Sequence, residues 1–445
     1  MPTGDETAES PGAACGVPSA QGGGRHSRVQ ERLPRSYLWW LVGILVSLVG
    51  NVVFSFALGW AASAYGGSVA GLVLSAVTLP RVLLLLVGGA VGDRVSARRV
   101  LITGDAVMLV LSLGLATLAH HLGAPPWLLI ATGIAVGVVD AFYLPASGSM
   151  PRRMVAEAQL PRALSLRQVG GQVITMGGGP LGGVLVGLAG LAGAAAFNAV
   201  TFAFTLIVLA LVRPRYEAAR SSAAAGLLKE AMDGVRVAFA HPVLRPGLCL
   251  TGFAAGFLLP VLSLLVPLLA REREWGAGAA GLVIGAQGVG MVAITLVVVR
   301  RGPLGRPGLL SAGALVLAGA GVLALALAPG TAGAVTAGVV VGVGNGIFSA
   351  HIAPLVLAAA PESHLSRVQA VLVLVQSLAL LLMNSVLGAF VDLEGATVVL
   401  VACAVMLVGV GLAGLASGPL RNDRTGLRPP AEPGRPRRPR TGGTA

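Results

Sequence analysis

The sequence predicts an all-α integral membrane protein of twelve transmembrane helices, arranged as two pseudo-symmetric six-helix bundles. Three observations predict it. Of the 445 residues, 55% are hydrophobic and only 11% charged, less than half of the roughly 25% that a water-facing surface carries. The apolar residues gather into runs near the ~20 residues that span a bilayer. Arginine is concentrated in alternate gaps between those runs, which is how topology is written into a membrane chain.

The runs begin near Leu38, Ala70, Val100, Trp127, Val169 and Leu191, and each closes at a Gly, Pro or Arg cluster. A polar stretch follows from Arg213 to Arg245. A second set begins near Pro246, Ala277, Gly308, Gly333, Val368 and Thr397. Several runs meet across a short turn, as at 190–193, which leaves the count open by one pair. The organisation predicted is a disordered cytoplasmic tail over 1–36, a six-helix bundle over 37–212 and a cytoplasmic central loop over 213–245. A second bundle over 246–418 and a disordered tail over 419–445 complete it. The central loop places Leu228, Met232, Val235 and Phe239 at helical spacing, an amphipathic pattern suited to the inner membrane surface.

Odd-numbered gaps are almost free of Arg, at 63–68, 120–126 and 190–193. Even-numbered gaps carry Arg94, Arg98 and Arg99, then Arg152, Arg153 and Arg162, then the central loop, then Arg300, Arg301 and Arg306, then Arg367. Both termini and the even gaps are therefore expected in the cytoplasm of a cell-membrane, multi-pass protein. The exception is Arg271-Glu272-Arg273-Glu274, whose charges cancel. Some 35 polar residues precede the first run, and that run exceeds a signal-peptide core, so it reads as a retained helix.

The net charge of +13 sits in short tracts rather than on one face, which argues against nucleic acid. Lys229 is the only Lys among 31 basic residues, a bias that fits a GC-rich genome. Cys15, Cys249 and Cys403 lie far apart, with neither metal nor disulfide spacing. No phosphate-binding Gly-Lys-Ser/Thr loop, paired carboxylates or activated nucleophile is present. Neither an enzyme nor a cofactor-dependent pump is expected, and no cofactor is implied.

Gly89-Ala-Val-Gly-Asp93-Arg94-Val-Ser-Ala-Arg98-Arg99 links the second and third runs. Its glycines permit close helix approach, and Asp93 at the membrane edge suits the free amides of another helix's N-terminus. Here the chain resembles the major facilitator superfamily, whose loop signature is G-x-x-x-D-R-x-G-R-[RK]. Gly89, Asp93, Arg94 and Arg98 match, whereas Ser96 and Ala97 replace a Gly and an Arg. Ser47-Leu-Val-Gly-Asn51, Leu79-Pro80-Arg81 and Phe142-Tyr-Leu-Pro145-Ala146 resemble the branch that includes macrolide, other drug and siderophore exporters. The resemblance implies parallel six-helix repeats. It also implies a gate in which the Asp pins helix 2 to the start of helix 11 while the cytoplasmic side is closed, with Arg98 and Arg99 anchoring the loop.

Helix 5 carries Gly177-Gly-Gly179-Pro180-Leu-Gly182-Gly183, either a hinge like that of drug antiporters or a surface for tight packing. Intramembrane charges cost roughly 2.5–3.5 kcal/mol each on insertion scales, so Arg81, Asp105 and Asp140 are proton-coupling candidates. Arg81 lies twelve residues before Asp93, and Asp140 twelve before Arg152, so both sit about 18 Å from the cytoplasmic edge. Opposite charges at one depth suggest an ion pair, either purely structural or opened by protonation of Asp140. Asp105 lies nearer the edge, where a pair with a nearby Arg is the alternative. Asn51, Asn345 and His351 fall on helices 1 and 10, which line the cavity in this superfamily, and are candidates for substrate contact. The partners expected are a small-molecule substrate, protons and the lipid bilayer, with the protein a monomer. Proton-coupled export of a hydrophobic or amphipathic compound is the function implied. A lipid flippase, or a membrane sensor that transports nothing, is the alternative.

Overall fold

A computed structural model describes residues 33–94, 96–212, 236, 242–301, 305–360 and 365–422, without the side chains of 85–94, 365–367 and 422. The amphipathic pattern of the central loop lies outside the described residues. The chain is helical because apolar runs in lipid have no water to satisfy backbone amides and must bond them internally. The first four helices are α1 (Arg35–Ala62), α2 (Gly67–Arg94), α3 (Ala97–Leu122) and α4 (Pro126–Met154). One helical stretch, Leu160–Leu211, is folded back at Gly190, whose φ of 62° breaks it into α5 (160–189) and α6 (191–211). A left-handed residue there is cheap only for Gly, which has no Cβ to clash.

The second set is α7 (Leu244–Glu272), α8 (Ala277–Arg301), α9 (Pro307–Ala326), α10 (Thr331–Ala359), α11 (Leu365–Glu394) and α12 (Ala396–Ala416). Eleven helical segments among the described residues are long and apolar enough to cross a membrane, and the fold at Gly190 makes twelve spans. This is a multi-pass membrane protein. Large apolar side chains face outward, Leu188 at 82% and Leu211 at 79% exposed, which only a lipid solvent tolerates. Pro260 and a π turn at Val261–Leu265 interrupt α7. A short helix, Gly418–Asn422, follows α12 and buries Leu420 against the start of α9, so order runs past residue 419, where the tail is expected.

The two sets pack alike. In the first, α1 lies on α5 and α6, α2 on α4, and α3 on α4 and α6. Moving each number on by six gives the second: α7 on α11 and α12, α8 on α10, α9 on α10 and α12. The sets meet along two seams, α2 with α11 and α5 with α8, which the same shift exchanges. Both described chain ends lie on the face that also carries Ser96, Val155 and Arg306, termed here the terminal face.

Candidate functional site

Two adjoining cavities lie between the sets. One, of about 360 Å3, is walled by polar groups of five helices: Asn51 of α1, Thr78 and Arg81 of α2, Asp140 of α4, Ser263 in the π turn of α7, and Asn384 of α11. The other, of about 1000 Å3, shares Asn51 and Asp140 and extends along α1, α4, α5 and α8. It reaches Leu164 in the second turn of α5 and Val299 in the last turn of α8, so it approaches the terminal face. Most of the wall area is apolar, from Leu, Val and Phe in the smaller cavity and Ile44, Leu45, Leu48 and Leu164 in the larger. The larger also carries Ser47, Gln168, Gln172, Thr175 and Thr295, a surface suited to amphipathic cargo. Asp140 is the acid lining both.

Arg81 and Asp140 share the smaller cavity, and Arg81 acts electrostatically on the carboxylate. No direct hydrogen bond or ion pair joins them among the described residues. The depth argument places both charges at one level, but α2 and α4 hold them apart across the cavity rather than in contact. Asp105 departs from expectation more sharply. It is wholly buried, its neighbour is Tyr143 of α4, and among the described residues neither carboxylate oxygen has a partner in good hydrogen-bond geometry and no Arg faces it. The face of α3 that carries it turns toward α4, where Gly104 lies under the Tyr143 ring.

The face opposite the chain ends is closed by contacts between the two sets. Asp392, near the end of α11, accepts from the first amides of α2, Gly67 N at 2.5 Å and Ser68 N at 2.8 Å. Gly67 and Gly71 press on the backbone of Gly388 and Asn384, and Ser75 donates to Leu381 O at 3.0 Å. Arg271 of α7 donates to Trp60 O at 2.8 Å and Ser63 Oγ at 2.7 Å at the end of α1, with its guanidinium 4.4 Å over the Trp60 ring. Its neighbours also cap helices: Glu272 accepts from Ala396 N at 2.6 Å, and Arg273 donates to Ala328 O at 2.7 Å. Cations near carbonyl ends and a carboxylate near an amide end complement the helix dipoles.

Gly179, Pro180, Gly182 and Gly183 form the α5–α8 and α5–α1 seams. A Cβ on Gly183 would lie 2.7 Å from Ala277 O, one on Gly182 2.9 Å from Phe56, and Pro180 stands against Gly285. The backbone keeps helical dihedrals through Pro180, and in this structure the element serves as a close-packing surface. Gly281→Val, whose side chain meets the Gly179 carbonyl, is expected to part this seam at a cost of about 1–3 kcal/mol. Thermal unfolding in detergent checks it, with Gly278→Val, whose Cβ meets nothing within 4 Å, as the harmless control.

Gly89, Asp93 and Arg94 occupy the last two turns of α2, and their side chains lie outside the described residues. Arg98 caps α6, donating from Nη2 to Leu209 O at 2.8 Å and from Nε to Val212 O at 3.0 Å. Arg99 is exposed. Ser96, which stands where the signature has Gly, is the N-cap of α3 and accepts from Arg99 N. That role satisfies a free amide and explains how the loop tolerates the exchange.

Asn51 lines both cavities, whereas Asn345 and His351 line neither. These two are buried in α10, with His351 Nδ1 2.8 Å from Ile347 O. Gly342, Gly344 and Gly346 let α8 and α9 press directly on α10, which removes that stretch from the cavity. Tyr143, Ser147 and Arg167, on the wall of the larger cavity, are residues that sequence reasoning missed. Arg167 escaped because α5 begins at Leu160, nine residues before the apolar run at Val169. The signal available was the helical spacing of Leu160, Leu164 and Gln168.

A family model described as Major Facilitator Superfamily matches residues 40–384. The multidrug efflux pump Tap of Mycolicibacterium fortuitum is 26% identical over 246 residues, which cover 53% of this chain and 59% of that pump. Among solved structures, a bacterial homologue of the human lysosomal transporter Spinster, inward-facing and unoccupied, superposes with a TM-score of 0.68. That likeness covers 87% of this chain and 98% of the other at 14% identity. A D-xylose–proton symporter gives 0.65 at 14% identity over 86% and 98%. A bacterial homologue of the iron transporter ferroportin, inward-facing, gives 0.62 at 17% over 86% and 99%.

Proposed function

The chain belongs to the major facilitator superfamily, and on that premise we propose that this transporter exports small hydrophobic or amphipathic compounds in exchange for protons. The observation that carries the reading is the cavity itself. It lies between two six-helix sets, is mostly apolar, holds the charges of Asp140 and Arg81, and is closed at one face only by contacts that can part. The partial match to an efflux pump supports the direction of transport.

The Arg distribution supports a cytoplasmic position for both termini in the cell membrane. The terminal face is then the inner one, and the structure corresponds to the inward-open state. Substrate enters between α1, α4, α5 and α8, and the two sets rock about the cavity to expose it outside. Asp392 holds α2 to α11 at the outer face in this state. In the outward-open state Asp93, at the other end of α2, reaches the first amides of α11. Each helix of the antiparallel pair thus carries near its C-terminus an acid for the other's N-terminus. One latch forms as the other opens. Asp140, with Arg81 as its counter-charge, takes up the proton that drives the return.

The test uses everted vesicles from cells expressing the protein, with a panel of fluorescent lipophilic dyes added to the medium. Expected is dye accumulation in the vesicle interior that depends on an acid-inside proton gradient and stops on adding a protonophore. A panel unmoved by expression, with or without the gradient, contradicts the reading.

A further inference from the structure

We propose that Arg167 is the anchor of an anion subsite in the larger cavity, so that the preferred cargo is an amphipath with a carboxylate or phosphate head. The inference rests on the export reading and sharpens it. Arg167 stands on α5, seven residues from its start, about 10 Å along the helix axis. It is half-buried and walls the cavity beside Ser147, Gln168 and Gln172.

Its hydrogen bonds go to neutral acceptors, from Nη1 to Ser147 O at 3.1 Å and from Nη2 to Ser147 Oγ at 3.0 Å. Its guanidinium lies 5.8 Å from the centre of the Trp40 ring. The titratable groups that act on it are the phenols of Tyr37 and Tyr143. Among the described residues no carboxylate forms a hydrogen bond or ion pair with it.

A half-buried guanidinium without a counter-ion is costly. Two Ser147 contacts aim it and leave part of its donor fork unused. An anionic head entering from the terminal face can take up those donors in charge-assisted bonds, while Leu45, Leu48 and Val299 receive the tail.

The test measures binding to the full chain in phosphatidylcholine nanodiscs with a matched pair of probes, NBD-aminododecanoate and its neutral methyl ester, correcting for empty discs. The wild type is expected to bind the carboxylate about tenfold more tightly than the ester, a difference of about 1.4 kcal/mol. Arg167→Gln is expected to abolish that preference while ester affinity stays within about twofold. Arg167→Lys, which keeps the charge, retains most of it and shows that the wall still folds. Equal affinity of the wild type for both probes, or a preference that survives Arg167→Gln, overturns the subsite and leaves the export reading standing. Saturable binding of neither probe also overturns the subsite, while the export reading is decided by the dye panel in everted vesicles. Discs containing phosphatidylglycerol form a second arm. Competition there that depends on Arg167 assigns the anion to a lipid headgroup, and no competition assigns it to a free amphipath; both support the subsite.

Discussion

Asn in place of Asp140 is expected to reduce gradient-driven efflux at least tenfold, to the background of vesicles that lack the protein. Asn matches Asp in size and keeps a hydrogen-bonding oxygen, so the cavity wall remains intact. What it removes is the ability to gain and lose a proton. Asp140 is, among the described residues, the acid that borders both cavities, with no second acid on either wall. Exchange of labelled for unlabelled substrate in the absence of a gradient requires no proton and is expected to survive in this variant. The wild type should respond to the pH difference across the membrane, and the Asn variant should not. An Asn variant still driven by the gradient would move the coupling site elsewhere, with buried Asp105 the next position to replace. Arg81→Gln is expected to impair transport as well, since Asp140 then faces an apolar cavity without its counter-charge.

The second large effect is expected at the outer seam. Asp392→Ala removes both acceptors for Gly67 N and Ser68 N and the negative charge at the start of α2. Capping of this kind contributes about 1 kcal/mol at a solvent-exposed end, which corresponds to a shift of roughly fivefold in a two-state population. The shift runs toward the outward-open state, because only the outer latch is lost. Asp93→Ala should shift the balance the other way, and the double variant should return near the wild-type ratio while cycling poorly. A membrane-impermeant thiol reagent applied outside reads this balance at Ser75→Cys, a position covered by α11 when the outer seam is closed. Faster labelling in Asp392→Ala is the expected result, and an unchanged rate would remove Asp392 from the gate.

Much of the fold is legible in the sequence because lipid imposes a simple rule on it. Eleven of the helix starts read from apolar runs fall within three residues of those observed. The exception is α5, whose first turns carry Arg162, Arg167 and Gln168. Arg167 and Gln168 line a cavity instead of a loop, and hydropathy does not distinguish the two. The Arg271-Glu272-Arg273-Glu274 stretch interrupts the charge pattern for a related reason. Arg271 and Arg273 are bound to carbonyls at the ends of α1 and α9, and Glu272 to the start of α12. Charges used as caps carry little topological information.

The site was less legible. Depth along a helix can be counted in residues, which is why Arg81 and Asp140 meet at one cavity. Rotation about the helix axis cannot be read from apolar runs, because a span embedded in lipid and protein is apolar all round. Asn345 and His351 were assigned to the cavity by resemblance alone, and glycine-mediated packing of α8 and α9 turns them away from it. Asp392 gave no signal in the sequence, since an acid in a polar turn is ordinary. Its meaning comes from the partner it meets 324 residues away, at Ser68.

Paired distances across the two faces test the mechanism most directly. In a background free of Cys15, Cys249 and Cys403, spin labels at Tyr65 and Glu394 report the outer seam, and labels at Arg99 and Arg300 the terminal face. All four positions are exposed. If the six-helix sets rock about one central cavity, Asp392→Ala lengthens the first distance and shortens the second in the same molecules. Distances that change together, or do not change at all, would contradict it.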